Sequence, residues 1–368
     1  MNHTIHSFYI IIGYLCLISC TSSYIQKEDN NINQSHPKNI ILMIGDGMGL
    51  SQISAAMYRN GGKLFLEEAK YIGLIKTNSA SSIITDSAAG ATAFSTGKKT
   101  YNGSINMDVD SLPLQPITSI LHKHKIKTGI VATSSVTHAT PACFYGNQIN
   151  RYGVNESLAE QFLQSNINVL IGGGENFFNK RSDNKNLIDS LKKKNYTIID
   201  SVSDLIHHST EKLINFCAPT EPVQRKKGRG NFLTNASQKA ISVLNTNNTN
   251  GFFLLIEGSQ IDWGGHDMDS EYIISETLDF DEAIEAVINF AKKDKNTLVL
   301  ITADHETGGY GIVDGSVQDN IVKGEFLNDD HTATMVPIFA FGKEAERFIG
   351  TYHNTELYNK ILTSFQIQ

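Results

Sequence analysis

Seven side chains whose chemistry suits metal binding lie in a few short segments of the sequence. They are four carboxylates and three imidazoles: Asp46, Glu257, Asp262, Asp304, His266, His305 and His331. If they packed together without cations, the carboxylates would repel one another, and removing such charges from water is costly. Mixed histidine and carboxylate ligands suit zinc, whereas a ligand set made only of oxygen atoms suits magnesium. The residue types therefore predict a cluster of divalent metal ions.

Two pairs have spacings that could direct both side chains at one ion. Asp262 and His266 are four residues apart, so on a helical turn they point the same way. Asp304 and His305 are adjacent, and a tight bend after a strand could turn both of them inward.

Each of these residues also has an ordinary structural explanation. Asp46 lies between two glycines, which is typical of a turn. Asp262 and His266 could form a surface pair on a helix, and His331 could be a solvated loop histidine. Their joint occurrence beside successive predicted strands favours a shared metal cluster over these separate explanations.

Six short apolar runs predict the strands that must position these residues. The runs are 39–44, 128–132, 168–171, 251–256, 297–302 and 336–341. Unbroken runs of this length are typical of strands covered on both faces, as in a parallel sheet. Helical patterns lie between them, such as 270–293, whose acidic start and basic end suit the helix dipole. This alternation predicts an α/β fold, a three-layer sandwich with a largely parallel central sheet.

The candidate ligands lie where the predicted strands end. Asp46 follows the first run, Glu257 follows the fourth, and Asp304 with His305 follows the fifth, while His331 comes shortly before the last. In open α/β sheets, ligands bind at the carboxyl ends of the strands. The sequence therefore predicts one site at one edge of the sheet.

Ser87 is the candidate nucleophile. It begins a run of small, helix-compatible residues that Gly97 would end. Free amides and the dipole at a helix N-terminus favour a phosphate group. Asp86 or Ser87 could equally be an ordinary N-cap, which requires no catalysis.

The order and approximate spacing of five motifs resemble those of the alkaline phosphatase family. The motifs are Gly45-Asp46-Gly47-Met48-Gly49, Asp86-Ser87-Ala88-Ala89, Glu257 with Asp262 and His266, Asp304-His305, and His331-Thr332. The resemblance runs from about residue 39 to residue 342. It implies an alkaline phosphatase-like fold and an enzyme that hydrolyses phosphate monoesters through a phosphoseryl intermediate on Ser87, with an alkaline optimum.

The resemblance also implies two zinc ions and one magnesium ion. Three protein ligands would bind each zinc ion: Asp262, His266 and His331 the first, and Asp46, Asp304 and His305 the second. The second zinc ion would also meet the Ser87 oxygen and lower the pKa of that hydroxyl. The first would stabilise the leaving oxygen and the hydrolytic step. The magnesium ion would share Asp46 and be completed by Glu257 and Thr140.

Four further residues receive roles from the resemblance. Arg151 would bind the phosphate, because its planar fork suits two phosphate oxygens, and Asp86 would position it. His138 would lie near the third ion, where a histidine is associated with altered metal preference. Trp263 stands where other members carry Lys or His, so we expect weaker product binding and faster turnover. Only about twenty residues separate positions 309 and 331, where larger members insert a crown, so we expect a compact enzyme.

Two rival enzymes of the same superfamily fit less well. Sulfatases need a Cys-x-Pro-x-Arg or Ser-x-Pro-x-Arg segment, and the residues that follow Ser87 do not form one. Phosphodiesterase relatives usually have a threonine nucleophile and lack the third ion, whereas Glu257, Thr140 and Arg151 favour the monoesterase. A non-catalytic phosphate- or metal-binding lipoprotein is disfavoured because no ligand is missing.

Composition narrows the partners. The chain has 368 residues and a formal net charge of −7, enough for one large α/β domain or two modest ones. The acidic balance argues against nucleic acid or anionic membrane as the main partner. The basic cluster at 225–229 is interpreted as a solvated loop. Phosphate monoesters are the expected partners, and a homodimer is expected only by analogy with the family.

The N-terminal segment predicts export. Its apolar run at 8–18 is too short to span a bilayer but is typical of a signal peptide. The run ends in Leu17-Ile18-Ser19-Cys20, which resembles the lipobox of bacterial lipoproteins. No Lys or Arg precedes it, so a cleaved signal with a chance cysteine is the alternative. We predict a signal peptide at 1–20, a tether at 21–37 and a catalytic domain at 38–368, in the periplasm or on the outer membrane.

Cysteine chemistry leaves two alternatives open. If Cys16 is removed and Cys20 carries lipid, Cys143 and Cys217 remain of the four cysteines. No CxxC spacing predicts a thiolate zinc site. The remaining pair could form a disulfide in an exported protein, or stay as two buried free thiols.

Overall fold

The apolar runs form strands and the amphipathic segments between them form helices in the computed structural model, which describes residues 36–199 and 210–368. The strands are β1 (Asn39–Gly45), β2 (Tyr71–Lys76), β3 (Lys127–Ser135), β4 (Val169–Gly173), β5 (Thr197–Ile199), β6 (Leu213–Ala218), β7 (Phe252–Gly258), β8 (Thr297–Thr302), β9 (Glu306–Thr307), β10 (Gly311–Ser316), β11 (Ile321–Glu325), β12 (His331–Thr332), β13 (Val336–Gly342) and β14 (Gly350–His353). The helices are α1 (Leu50–Arg59), α2 (Ser87–Thr96), α3 (Ile117–Lys123), α4 (Ala139–Ala142), α5 (Asn155–Phe162), α6 (Asn176–Asn179), α7 (Leu187–Lys193), α8 (Phe232–Asn245), α9 (Gln260–His266), α10 (Ser270–Asp294) and α11 (Asn354–Ser364).

Ten of these strands form the central sheet. Their order is β14-β2-β13-β8-β1-β7-β3-β4-β6-β5, and every pairing is parallel except those of β13 with β8 and β2. Strands β1, β7 and β8 are buried at every position, which requires a layer of helices on each face. The predicted three-layer sandwich with a largely parallel sheet is confirmed.

The register of the central strands aligns their carboxyl ends. Ile44 of β1 pairs with Glu257 of β7 on one side and with Thr302 of β8 on the other. Ala132 of β3 also pairs with Glu257, so β1, β7 and β8 end at nearly the same level and β3 extends beyond it to Ser135. Asp46 and Asp304, each two residues beyond a paired position, therefore lie at the same edge as Glu257.

The helix predicted at 270–293 is α10. The side chain of Asp269 accepts a hydrogen bond from the Tyr272 amide at 3.0 Å, and Lys295 ends the helix in a left-handed conformation. Helix α10 packs against α1, α8 and α9, while α2 packs against α3, α4 and α11. The sequence did not predict β14, so the run at 336–341 is not the last strand.

The interpretation of 225–229 as a solvated loop is wrong for its two arginines. Arg225 donates to Asp279 Oδ1 at 2.6 Å, and Arg229 pairs with Glu276 and with Asp279 Oδ2, the latter at 2.8 Å. The Arg229 side chain is only 4% exposed. Both acidic partners lie on α10, about fifty residues away, so the local sequence could not reveal the pairing.

Several predictions concern the N-terminal segment and the cysteines of the chain. From His36 to Gln368 the chain forms one compact unit. The predicted signal peptide at 1–20, with Cys16 and Cys20, and the tether up to residue 35 lie outside the described residues. Cys143 and Cys217 are free thiols, so the disulfide alternative is wrong. Within the described residues, no helix combines the length and the apolar character needed to cross a membrane.

Candidate active site

Three groups of ligand-type side chains meet at the carboxyl edge of the sheet. In each group, one ligand atom per residue lies within 4.8 Å of the others: Asp262, His266 and His331; Asp46, Asp304 and His305; and Asp46, His138 and Glu257. The first two groups are the two predicted zinc ligand sets. The third contains two of the predicted magnesium ligands together with His138, which was expected near that ion.

In the first group the histidine tautomers are fixed by backbone carbonyls. His331 Nδ1 donates to the carbonyl of Thr85 at 2.8 Å, and His266 Nδ1 donates to the carbonyl of Asp329 at 2.6 Å. A carbonyl can only accept, so Nδ1 carries the proton in both rings. The two Nε2 atoms face each other at 3.2 Å, and each lies 3.4 Å from an Asp262 oxygen. When each Nε2 has lost its proton, the lone pairs of both imidazoles are aimed at one point, which suits a metal ion.

Asp262 governs the proton affinity of these two histidines. Its hydrogen bond raises the pKa of His266 to about 9. Burial lowers the pKa of His331, but the hydrogen bond and charge of Asp262 outweigh burial and raise it. A metal ion at this point would therefore displace protons, which makes its binding stronger at high pH.

The second group lies beside the Ser87 hydroxyl, which is in contact with His305. His305 Nε2 lies 3.3 Å from Ser87 Oγ, 3.4 Å from Asp46 Oδ1 and 3.2 Å from Asp304 Oδ2. Burial and the neighbouring His331 hold the pKa of His305 well below its usual range, so this ring is neutral. A neutral buried imidazole is a poor base and a good metal ligand.

The buried oxygen atoms of this site lack partners. No hydrogen bond reaches either Asp46 oxygen, Glu257 Oε1, Asp304 Oδ2 or the Thr140 hydroxyl within the described part of the chain. Buried polar atoms are normally satisfied, so this set of unpaired oxygens fits a bound cation. The residues present therefore suit divalent metal ions.

The pKa values of the buried carboxyl groups also indicate that the site suits bound cations. Burial, reinforced by Asp304 and other carboxylates, raises the pKa of Asp46 well above its ordinary value. Burial also raises the pKa of Glu257 to about 8 and that of Asp304 to about 6, with neighbouring carboxylates adding to both. Positive charge would restore ionisation of all three, because an opposite charge favours the charged form.

Ser87 is the first residue of α2, as predicted. Asp86 caps this helix, because its Oδ1 accepts from the Ala89 amide at 2.9 Å, and Gly97 ends the helix with a φ of 71°. Every residue of α2 is buried. A buried helix holds the Ser87 hydroxyl rigidly at a positive dipole end.

Arg151 and Ser87 line the same cavity. Its guanidinium is 3.4 Å from Asp86 Oδ2 and 3.2 Å from His138 Nε2. Asp86 Oδ2 also accepts from the Gly103 amide at 3.0 Å, which fixes the carboxylate. Asp86 therefore performs both tasks considered for it, capping a helix and contacting the arginine.

The cavity around these groups has a volume of about 800 Å³. Its lining includes Ser87, Arg151, Asp262, His266 and His331. Trp263 lines it as well and is half-buried, with its ring 5.9 Å from the His138 ring at an interplanar angle of 74°. This edge-on contact fixes the plane of the indole beside the cavity.

Two positioning residues were missed by the sequence reasoning. Thr307 donates its hydroxyl proton to Asp262 Oδ1 and accepts a hydrogen bond from His305 Nδ1 at 3.2 Å, so it joins the first two groups. Glu306 is a buried carboxylate with no cationic partner in the described residues. Both directly follow the Asp304-His305 motif, and that adjacency was the available signal.

Glu306→Gln is expected to weaken zinc binding and lower stability. The carboxylate accepts from Gln52 Nε2 at 2.7 Å, the Tyr310 amide at 3.1 Å, the Gly309 amide at 3.2 Å and the Thr332 hydroxyl. An amide would turn an N–H towards these donors, which costs about 1–3 kcal/mol. Strands β9 and β12, which carry or flank ligands, would loosen, and zinc affinity should fall roughly 10- to 100-fold.

Calorimetry and competitive zinc titration with a chelator measure both effects. The matched control is Glu325→Gln, because Glu325 is an exposed residue of the neighbouring strand β11. If Glu306→Gln matched the control in melting temperature and zinc affinity, Glu306 would have no positioning role.

Comparison with known proteins places these features in context. The family model described as Alkaline phosphatase matches residues 37–328. Alkaline phosphatase 3 of Bacillus subtilis (strain 168) is 37% identical over 346 residues, which cover 89% of this chain and 73% of that protein.

Solved structures of alkaline phosphatases are also similar to this chain. The alkaline phosphatase from the Antarctic bacterium TAB5 is 43% identical with a TM-score of 0.85, over 91% of this chain and 99% of that one. A histidine-to-aspartate mutant of the TAB5 enzyme, with magnesium bound in its M3 site, is 44% identical with the same TM-score and coverage.

Proposed function

The chain belongs to the alkaline phosphatase family, and from that premise we propose that it hydrolyses phosphate monoesters with Ser87 as the nucleophile. One observation carries the assignment. Ser87 Oγ lies 3.3 Å from a neutral His305 nitrogen that also faces Asp46 and Asp304, at the N-terminus of a buried helix. The Ser87 hydroxyl therefore lies next to a set of three metal ligands, and a metal ion bound by that set would assist nucleophilic attack by the hydroxyl.

We propose that the first two ligand groups bind zinc and that the third, completed by Thr140, binds magnesium. The mixed histidine and carboxylate sets suit zinc, and the oxygen-rich set around Asp46 and Glu257 suits magnesium. Ions held by these residues would lower the pKa of the nucleophile and stabilise negative charge on the ester oxygens. Because His138 adds a nitrogen ligand to the third group, the metal preference of that site would differ from that of a site whose ligands are all oxygen atoms. The TAB5 mutant in which an aspartate replaces a histidine, with magnesium in its M3 site, supports this proposal by analogy.

Side chains and backbone amides of this chain would perform the nucleophilic attack and bind the phosphate. Ser87 Oγ forms a bond to phosphorus while the ester P–O bond breaks, and water then hydrolyses the phosphoserine. Arg151 binds two non-bridging oxygens with its fork, and Asp86 holds the guanidinium in place. The amides at the start of α2 face the phosphate and add positive potential.

The reaction class is tested by comparing three substrates with one chromophore. We expect p-nitrophenyl phosphate to be hydrolysed far faster than bis-p-nitrophenyl phosphate or p-nitrophenyl sulfate. Arg151 and the amides at the start of α2 favour a terminal phosphate with several free oxygens, and a diester offers fewer of them. Dominant diester or sulfate hydrolysis would overturn the proposal.

Trp263→Lys is expected to tighten inhibition by inorganic phosphate. Trp263 lines the same cavity as Ser87 and Arg151, and a lysine there would bring a cation near the product. The inhibition constant should fall roughly 5- to 10-fold, and kcat should fall with it if product release limits turnover. Trp263→Met removes the ring without adding charge and is the control. An unchanged inhibition constant in the lysine variant would contradict the role of charge at this position.

We also propose that residues 38–368 form the catalytic domain of an exported protein anchored through lipid on Cys20. The support is the lipobox-like sequence, which lies outside the described residues. Cys20→Ala should release the enzyme from the membrane fraction of the producing cell while leaving its specific activity unchanged. A homodimer, expected by analogy with the family, stays a prediction.

A further inference from the structure

A second cavity opens beside the one that contains Ser87. Its volume is about 540 Å³, and Trp263 and His266 line both cavities. The two residues are therefore a shared wall between the nucleophile's cavity and this neighbouring space.

The remaining walls of the second cavity combine apolar surface with a polar rim. Pro222 and Val223 supply aliphatic surface, and Tyr272 supplies a second aromatic ring. Lys227 and Asp267, both exposed, supply a hydrogen-bond donor and an acceptor. Glu221, Gln224 and Gln260 add further polar groups, so the lining combines aromatic and aliphatic surface with several groups that can hydrogen-bond to a small molecule.

The segment that carries Lys227 is firmly anchored. Arg225 and Arg229 on either side of it are bound to acidic residues of α10, and Lys226 pairs with Asp269 at 2.5 Å. Lys227 alone of these four cations has no acidic partner in the part of the chain that the structure describes. The anchoring fixes the shape of the cavity and leaves one ammonium group available to a ligand.

His266 lines the second cavity and is also one of the candidate metal ligands of the active site. It belongs to the ligand group with Asp262 and His331, which is a different group from the one that contains His305, the residue in contact with Ser87. In an in-line displacement the attacking and leaving oxygens are on opposite sides of phosphorus. The leaving oxygen of an ester attacked by Ser87 therefore points away from Ser87. Because Trp263 and His266 line both cavities, the alcohol attached to that oxygen can extend past these two residues into the second cavity.

We propose that the second cavity is a leaving-group subsite that binds a planar ring carried by the alcohol, as in a nucleoside 5′-monophosphate. The inference rests on the proposed function, because it assumes that the phosphate of a monoester lies beside Ser87. The ring stacks on Trp263, whose plane His138 fixes, and Lys227 and Asp267 hydrogen-bond to its polar edge. The enzyme then favours ring-bearing monoesters over small aliphatic ones.

Adenosine 5′-monophosphate and ribose 5-phosphate form a matched pair of probes. They share the phosphate and the primary 5′ oxygen that leaves, and they differ in the purine ring. We expect kcat/KM to be about 3- to 10-fold higher for the nucleotide, the range that one aromatic contact supplies. Most of the difference should appear in KM.

Two variants test whether the ring occupies this cavity. Val223→Glu puts a carboxylate in the apolar wall, and Trp263→Leu removes the stacking surface. Either change should bring the ratio of the two kcat/KM values close to one, because effects on the shared phosphate cancel in the ratio. Val317→Glu is the control, since Val317 is exposed outside the cavity and should leave the ratio unchanged.

The outcomes separate the two claims. If both substrates are hydrolysed with equal kcat/KM, or if the preference survives both cavity variants, the subsite is overturned and the phosphatase assignment stands. If neither substrate is hydrolysed by the metal-loaded enzyme, the proposed function itself is overturned.

Discussion

Ser87→Ala should lower kcat for phosphate monoesters by about 10³- to 10⁶-fold, the loss seen when a covalent nucleophile is removed. Among the described residues, the hydroxyl hydrogen-bonds to one side chain, His305 at Nε2 and 3.3 Å, so its removal disturbs little else. Alanine also suits the first turn of α2, whose cap is the Asp86 side chain. The variant should therefore keep its fold and its metal ions while losing turnover.

Three measurements distinguish loss of the nucleophile from loss of the site. Steady-state kinetics give kcat, elemental analysis gives zinc and magnesium per chain, and acid quenching with a labelled substrate traps any phosphoserine. Ser95→Ala is the matched control, because Ser95 is also buried on α2 and makes its hydrogen bond to Asn106, away from the ligands. Turnover within tenfold of the unmutated enzyme, with a full metal content, would show that Ser87 is not the nucleophile.

The centre of the fold was predictable because its strands are buried on both faces. The run predicted at 297–302 is β8, and the run at 39–44 is β1 with one residue added. Such strands are continuous apolar sequences, which local reading detects. Strand β14 has exposed positions and no apolar run, so the same reading overlooked it.

The ligands were predictable for a related reason. Residues that follow parallel strands meet at one edge of the sheet, so Asp46, Glu257 and Asp304 had to lie close together. The partners that orient the histidines were not predictable. His331 and His266 are fixed by the backbone carbonyls of Thr85 and Asp329, and a carbonyl has no sequence signature.

The second cavity was beyond local reading because its walls are distant in sequence. The segment from Pro222 to Lys227 meets Trp263 and Tyr272 where Arg225 and Arg229 bind acidic residues of α10 and Gln260 donates to the Pro222 carbonyl. The basic residues at 225–229, read alone, indicated a solvated loop. The pairing depends on acidic residues of α10 whose positions the composition of the loop does not encode.

Chelation of the metal ions at pH 8 should abolish turnover and lower the melting temperature, and the loss of stability should be smaller at pH 5. Without cations, burial raises the pKa of Glu257 to about 8 and that of Asp304 to about 6, and it raises the pKa of Asp46 as well. Below about pH 3 these carboxyls are protonated in both the folded and the unfolded chain.

As pH rises from about 3 to 8, the unfolded chain ionises first, so the metal-free protein loses stability until each folded pKa is passed. The slope is at most about 1.4 kcal/mol per pH unit for each group. Bound ions remove this loss because they stabilise the ionised carboxylates. Protons on His266 and His331 also oppose metal binding at low pH, which acts in the same direction.

Calorimetry with and without chelator at both pH values, followed by re-addition of zinc and magnesium, measures the effect. The Ser87→Ala variant retains every carboxylate and imidazole ligand, so chelation should shift its melting temperature as much as that of the unmutated protein. A chelator shift of equal size at pH 5 and pH 8 would mean that the three carboxylates do not bind the ions. The difference between the shifts at pH 8 and pH 5 thus reports on the titrating ligands, the three carboxylates together with His266 and His331, independently of turnover.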